Sequence, residues 1–193
     1  SIMSKLFVDE IVHQSSQGSG TITIGASGET LDFSNPANVT LNAAMKNQHA
    51  FFAADCSGIS FASSSSTKMI YQTEIFDLSS AYNPTNGRFT APEAGYYFFF
   101  ANWRAPVNAG NNCRCDTSFY KNGSDFGAIG GMNQQNNNDY ASYGTAVLNL
   151  NANDYIEVYG NQNSTTTVTT SNSNNAGAGT IGGTGFMGYK IIT

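Results

Sequence analysis

Positive charge is scarce in this chain. Eight lysines and arginines stand against thirteen acids in 193 residues, a formal net charge of -5, and nowhere do the cations cluster. Nucleic acid is excluded as a partner, because phosphate binding needs grouped Lys and Arg side chains. Histidine is rarer still, with His13 and His49 the two present. A Ser-His-Asp arrangement needs a histidine poised beside a nucleophile and oriented by a carboxylate; His49, next to "AFFAA", reads instead as the start of a strand. The acids Asp116, Asp125, Asp139 and Asp154 are scattered over different loops and strands, not paired across one groove as glycoside cleavage requires. No catalytic residue is assigned, no cofactor is expected, and the protein is read as non-enzymatic.

Long apolar runs are missing too. Nothing approaches the roughly 18 residues of a membrane span, so no membrane insertion is expected. The start, "SIMSKLFVDEIVHQ", carries Asp9 and Glu10 and no long apolar stretch, so it does not read as a secretory signal. Cysteine is limited to Cys56, Cys113 and Cys115. Cys113 and Cys115 would share one face of one strand, a poor geometry for bridging each other. Reduced, partly buried thiols are the favoured reading, and a pairing of Cys56 with either of the others stays open.

What the chain has in quantity is Gly, with 20, together with Ser, Thr and Asn, while charged residues make up 11%. That is the profile of a turn-rich all-β protein with a neutral polar surface. Strands are predicted near Ala50–Ala54, Lys68–Phe76, Tyr96–Arg104, Arg114–Lys121, Ser142–Leu150, Tyr155–Gly160 and Gly185–Ile192, with weaker ones near Phe89 and Phe126. Asn122-Gly123 is a favoured hairpin turn pair, and "NAND" turns between two further strands. The pattern predicts a β-sandwich of about eight to ten strands.

One strand is unusual. "AGYYFFFANW", Ala94 to Trp103, places Tyr97, Phe99 and Trp103 on one face and Tyr96, Phe98 and Phe100 on the other. A strand apolar on both faces is covered on both. At about 150–250 Å² per aromatic, three such residues left uncovered would expose roughly 450–750 Å², at or above what a monomer tolerates. No helix-period apolar pattern follows residue 16, so the second cover is expected from another chain. Alternation alone leaves open which face is the core.

Residues 1–48 have a different texture. "GSGTITIGASGETLDFSNPANVTLN" gives three strand-like snippets between Gly and Pro turns, too short to bury a core alone. They read as a leader and short β-rich shaft, stable when three chains wind together, ahead of a head over 49–193.

From Tyr71 the spacing is more specific: Tyr71, Asp77, Tyr82, Phe89, Gly95, Tyr97 and Phe99 stand at the separations of the complement-one-q globular head signature. "HAFFAA", "FYKNG", "GTAVLNLNANDYIEVYG" and "GFMGYKII" follow in the expected order. The stretch from about Ala50 to Thr193 therefore resembles that family, a branch of the tumour-necrosis-factor-like jelly rolls. Tyr71 stands where the family usually has Phe, and Ala101 where it has a closing aromatic, leaving room for Trp103 or Phe100. The resemblance implies a jelly-roll head assembled as a homotrimer. The trimer interface is placed on Tyr96, Phe98 and Phe100, with Tyr155 and Tyr159 assigned to it as well. Some relatives bind calcium through loop acids, and Asp154 falls in the matching turn, but no oxygen-rich cluster accompanies it and no metal is assigned.

The leader resembles that of tailed-bacteriophage fibres. The expected role is thus a structural virion protein, a trimeric fibre or spike whose head binds a host surface receptor or glycan, with Met3 to Ser16 docking to other virion proteins. The alternative is a secreted or cell-surface TNF-like ligand or a lectin-type adhesin. Receptor contacts are expected in two amide- and hydroxyl-rich loops, Gly130 to Ser142 and Gly160 to Gly185, at Gln134, Gln135, Asn136, Asn137, Asn138, Thr165, Thr166 and Thr167.

Overall fold

Short apolar runs closed by Gly, Asn and Ser turns form strands, and among the described residues there is no helix. The structure is a computed structural model and describes residues 48–105, 114–133, 140–171 and 183–191. The chain divides into two units, Ser1–Thr40 and Leu41–Thr193. The leader and shaft expected over residues 1–48 lie, up to residue 47, outside the described residues.

The head opens with β1 (Ala50–Ala54), β2 (Ser60–Phe61), β3 (Thr67–Met69), β4 (Thr73–Asp77), β5 (Tyr82–Asn83) and β6 (Arg88–Thr90). The aromatic strand is β7 (Gly95–Ala105), followed by β8 (Cys115–Lys121), β9 (Ser124–Gly127), β10 (Ile129–Asn133) and β11 (Tyr140–Leu150). The chain closes with β12 (Tyr155–Gln162), β13 (Val168–Thr169) and β14 (Gly185–Lys190). One six-stranded antiparallel sheet runs β10-β11-β7-β14-β1-β4; the second runs β5-β6-β12-β8-β9, with β3 also on β12, and β13 pairs β2 in a small ribbon. The two sheets face each other as a jelly-roll sandwich.

Side-chain alternation on β7 decides the core. Tyr97, Phe99, Ala101, Trp103 and Ala105 are all completely buried between the sheets. Phe186 from the neighbouring β14 is the hub of the aromatic packing, meeting Phe51 edge-on at 4.8 Å and Tyr71, Tyr82, Phe99 and Phe119 at 5.8–6.2 Å. Ala101 lies opposite Phe186 across the β7–β14 ladder. Of the two residues considered for the room that Ala101 leaves, Trp103 shares its inner face, while Phe100 turns outward. Gly160 makes space for the indole: a Cβ there would come within 2.5 Å of Met69 Cε and 3.0 Å of Trp103.

Three local expectations are corrected. The strand predicted over Lys68–Phe76 is two, β3 and β4, in opposite sheets. Between them Tyr71 is fully buried, its hydroxyl donating to the Asn102 carbonyl at 3.0 Å, and the chain crosses the sandwich there. The loop expected from Gly130 to Ser142 is strand at both ends, because Ile129–Asn133 pairs with Ala141–Thr145. Gly130 permits that approach, since a Cβ would strike Tyr143 O. The loop expected over Gly160–Gly185 likewise begins inside β12 and contains β13, with Val168 buried. The Asn122-Gly123 hairpin turn joins β8 to β9 with φ of 51° and 81°, both in the left-handed region that this pair tolerates.

Candidate functional site

The odd positions of β7 are core, so the even positions form the outer face of the first sheet. Tyr96 is 48% exposed, and Phe98 and Phe100 are half-buried. Register places Val147 and Tyr189 opposite Phe98, on either side, and Met187 opposite Phe100. The Phe98 and Tyr189 rings lie 5.2 Å apart, Phe100 stacks on Tyr143 at 6.5 Å, and Phe52 meets Phe76 at 6.5 Å on the far strands. Tyr143, Val147, Tyr189 and Phe76 are each between 44% and 56% exposed. One aromatic surface thus extends across the sheet, with Phe126 and Ile129 exposed beside its β10 edge.

Tyr155 and Tyr159 do not join it. Strand β12 belongs to the second sheet, its Ile156 and Val158 point into the core, and the two tyrosines face outward on the opposite side of the sandwich. There Tyr159 stacks on Tyr120 with centroids 3.9 Å apart, and the Arg88 guanidinium lies 3.6 Å over the Tyr155 ring. Between the two tyrosines Glu157, with a side chain 4% exposed, accepts hydrogen bonds at Oε1 from Lys68 Nζ at 2.8 Å and Arg88 Nη2 at 2.8 Å. Burial pushes its carboxyl up, but the hydrogen bonds and charges of Lys68 and Arg88 outweigh this and hold it below the usual carboxylate range.

The spaced signature residues are interior. Tyr71, Tyr82, Phe89, Tyr97 and Phe99 are buried, and Asp77 accepts from the Ser79 and Tyr82 amides at 3.1 and 2.7 Å, closing the turn into β5. Tyr82 donates to the Tyr71 carbonyl at 2.8 Å and Tyr97 to that of Glu93 at 2.9 Å. These residues hold the fold together.

Asp154 is occupied by its own turn. It accepts from Asn122 Nδ2 and the Asn151 amide, each at 2.8 Å, and from Lys121 Nζ at 2.9 Å. The Asn122 hydrogen bond, then those of Asn151 and Lys121, hold its carboxyl down at about 2. Among the described residues no three His, Cys, Asp or Glu side chains gather to hold a metal ion. His49 Nε2 lies 3.1 Å from Glu93 Oε1, which Lys190 Nζ also reaches at 2.6 Å. Cys56 and Cys115 are both buried, and burial pushes the Cys56 thiol up to about 12. Cys113 lies outside the described residues.

Of the expected receptor contacts, Thr165, Thr166 and Thr167 form an exposed bend after β12. Buried Gln162 and Ser164 hold it from inside, both donating to the Thr166 carbonyl, at 3.1 and 2.9 Å. Gln134, Gln135, Asn136, Asn137 and Asn138 lie outside the described residues. Sequence reasoning missed the outward groove beside Tyr159. It is lined by Ser66, Arg114, Asp116, Ser118, Asp125 and Asn161, with a volume of about 440 Å³. Its signal was present in the alternation of β8 and β12, but reading it required knowing that the two strands are neighbours.

The backbone is similar to that of murine APRIL in its pH 5.0 crystal structure (TM-score 0.51, 13% identity), covering 74% of this chain and 98% of that one. It is also similar to Eiger TNF from S. frugiperda (TM-score 0.50, 9% identity), covering 76% and 94%. At such identities the likeness is one of fold. No curated protein matches the sequence. A family model for the C1q domain matches residues 50–179, most of the described sandwich and all but one of its strands, and the chain belongs to the C1q domain family.

Proposed function

We propose that the protein is a homotrimeric, non-enzymatic fibre or spike of a virion, whose head binds a host surface receptor and whose N-terminal segment docks to other particle proteins. The observation that carries the assembly is the aromatic outer face of the first sheet. Its half-exposed Tyr96, Tyr143, Tyr189 and Phe76, with Val147, present on the order of 500 Å² of apolar surface, at the upper end for a monomer. C1q and TNF-like heads are trimeric binding modules, and closed threefold symmetry covers the same face on every copy. Recognition is assigned to the exposed Thr165–Thr167 bend and the Gln134–Asn138 segment, where three copies turn weak contacts into avid attachment. The virion placement is supported by the Gly-punctuated, fibre-like texture of residues 5–33.

Light scattering tests the assembly: the expected mass is three times the 20.5 kDa chain, and a monomer refutes it. Exchanging Thr165–Thr167 and Gln134–Asn138 for Gly and Ser tests recognition, with trimers retained and adsorption to host cells lost as the expected outcome. Thr170 is left in place, since it is buried, donates to the Cys56 carbonyl and accepts from the Ile59 amide at 2.9 Å. Antibody against the head, applied to purified particles, tests the virion placement; particles without the antigen refute it.

A further inference from the structure

The outward groove on the second sheet has a composition of its own. Cross-strand register sets Asp116 opposite Asn161, Ser118 opposite Tyr159, and Tyr120 opposite both Glu157 and Asp125. Same-face neighbours along a strand are about 7 Å apart, so the polar floor formed by Asp116, Ser118 and Asn161 runs directly into the stacked Tyr120–Tyr159 pair. A hollow of about 190 Å³ continues from the groove past Asp116 and Thr117 toward Ser142 and Tyr143. The groove's 440 Å³ falls in the range of sites for small organic ligands.

Charge narrows the occupant. Arg114 Nε closes on Asp116 Oδ2 at 2.8 Å, and beyond the tyrosines Lys68 and Arg88 both close on Glu157. Within the groove Arg114 stands against Asp116 and Asp125, a net of one negative charge, so the groove does not draw an anion or a nucleic acid, and with Asp116 already paired it holds a single excess carboxylate, too little to select a basic peptide. Its lining offers hydroxyl, amide, carboxylate and guanidinium groups, and the stacked Tyr120–Tyr159 pair adjoins that lining at Ser118 and Asn161. A pyranose has the matching chemistry, with hydroxyls at its rim that donate and accept and an apolar C–H face that packs on an aromatic ring.

Given a head that recognises surfaces, we propose that this groove is a binding site for a neutral saccharide of roughly one or two pyranose rings, an assignment that rests on the recognition reading of the head. One ring lies against Tyr159 and Tyr120, and its hydroxyls reach Asp116, Asn161 and Ser118. The site is on the sheet opposite the aromatic face, so assembly through that face leaves the groove open.

The experiment uses the full chain and saturation-transfer NMR against the methyl glycosides of glucose, galactose, mannose and N-acetylglucosamine, with sialyllactose and heparin disaccharide as anionic probes. Transfer to at least one neutral glycoside is expected. Loss of the tyrosine surface in Tyr159→Ser weakens binding roughly tenfold or more, Tyr159→Phe restores it, and Ser118→Trp blocks it by filling the groove. Thermal unfolding of each variant verifies folding, and Ser118→Trp tests the site by filling it, with the tyrosine pair, Asp116 and Asn161 left in place. The proposal is overturned if no neutral glycoside shows transfer, if only the anionic probes do, or if Ser118→Trp binds like the unmutated chain. Trimer mass is measured on the same samples. Trimers without glycoside binding sink this site alone, whereas binding by a monomer sinks the assembly and leaves the groove standing.

Discussion

Replacing Val147 by Asp separates the two faces of the first sheet. Val147 is 56% exposed, directly opposite Phe98 on the aromatic outer face. In an isolated protomer the new carboxylate stays in water, so the cost to folding is that of a surface strand position, about 1 kcal/mol or less. In an assembly that covers this face, the substitution forfeits burial of about half a Val side chain, roughly 1 kcal/mol. It also places an unpaired carboxylate against Phe98, an effective penalty of several kcal/mol. Repeated in three copies, the loss approaches roughly 10 kcal/mol or more, comparable to a nanomolar association. Multi-angle light scattering at micromolar concentration should show a folded 20.5 kDa species in place of the trimer, with an unfolding transition within a few degrees of the unmutated protomer's. The companion Phe99→Ala alters the fully buried face of the adjacent strand and should cost about 3–5 kcal/mol of folding stability. A Val147→Asp protein that remains trimeric refutes the assignment of this face to the interface. One that fails to fold shows that the position is structural.

Two further outcomes follow from the packing and the ionisable groups. In Gly188→Ala the new methyl would lie 2.6 Å from Phe99 Cδ1 and 2.9 Å from the Phe98 carbonyl oxygen, so thermal unfolding should fall by roughly 2–12 °C, the equivalent of about 1–3 kcal/mol of overpacking. Asp154 has a folded-state carboxyl held down at about 2 against about 3.9 when unfolded. Its contribution to stability is therefore complete above about pH 4 and is lost as pH falls toward 2. Asp154→Asn should flatten the acid limb of unfolding temperature against pH between 2 and 4, and an unchanged limb would show that the turn's hydrogen bonds are not what protonation breaks.

Local chemistry was enough to read several parts of this protein in advance. Short apolar runs bounded by turn residues placed β7, β11, β12 and β14 to within two residues at most of their ends, because such runs and their flanking turns are local properties of the chain. The Asn122-Gly123 turn was equally local, since few other pairs adopt positive φ at both positions so readily. Side-chain alternation then showed that β7 is apolar on both sides. It was silent on which side is the core, because that depends on which sheet lies across from it. Tertiary structure decided this by burying Tyr97, Phe99 and Trp103 under the second sheet and leaving Tyr96, Phe98 and Phe100 outside. It also separated Tyr155 and Tyr159 from Phe98: all three are aromatic and on strands, and sheet membership arises only from long-range pairing. The break at Tyr71 was hidden for a related reason, since Met69 to Tyr71 and Ile75–Phe76 lie close enough along the chain to read as one strand, and only long-range pairing puts them in opposite sheets. The groove beside Tyr159 joins residues from four separate segments, Ser66, Arg114–Ser118, Asp125 and Asn161. No spacing along the chain encodes it, because its walls meet only once β8 lies between β12 and β9.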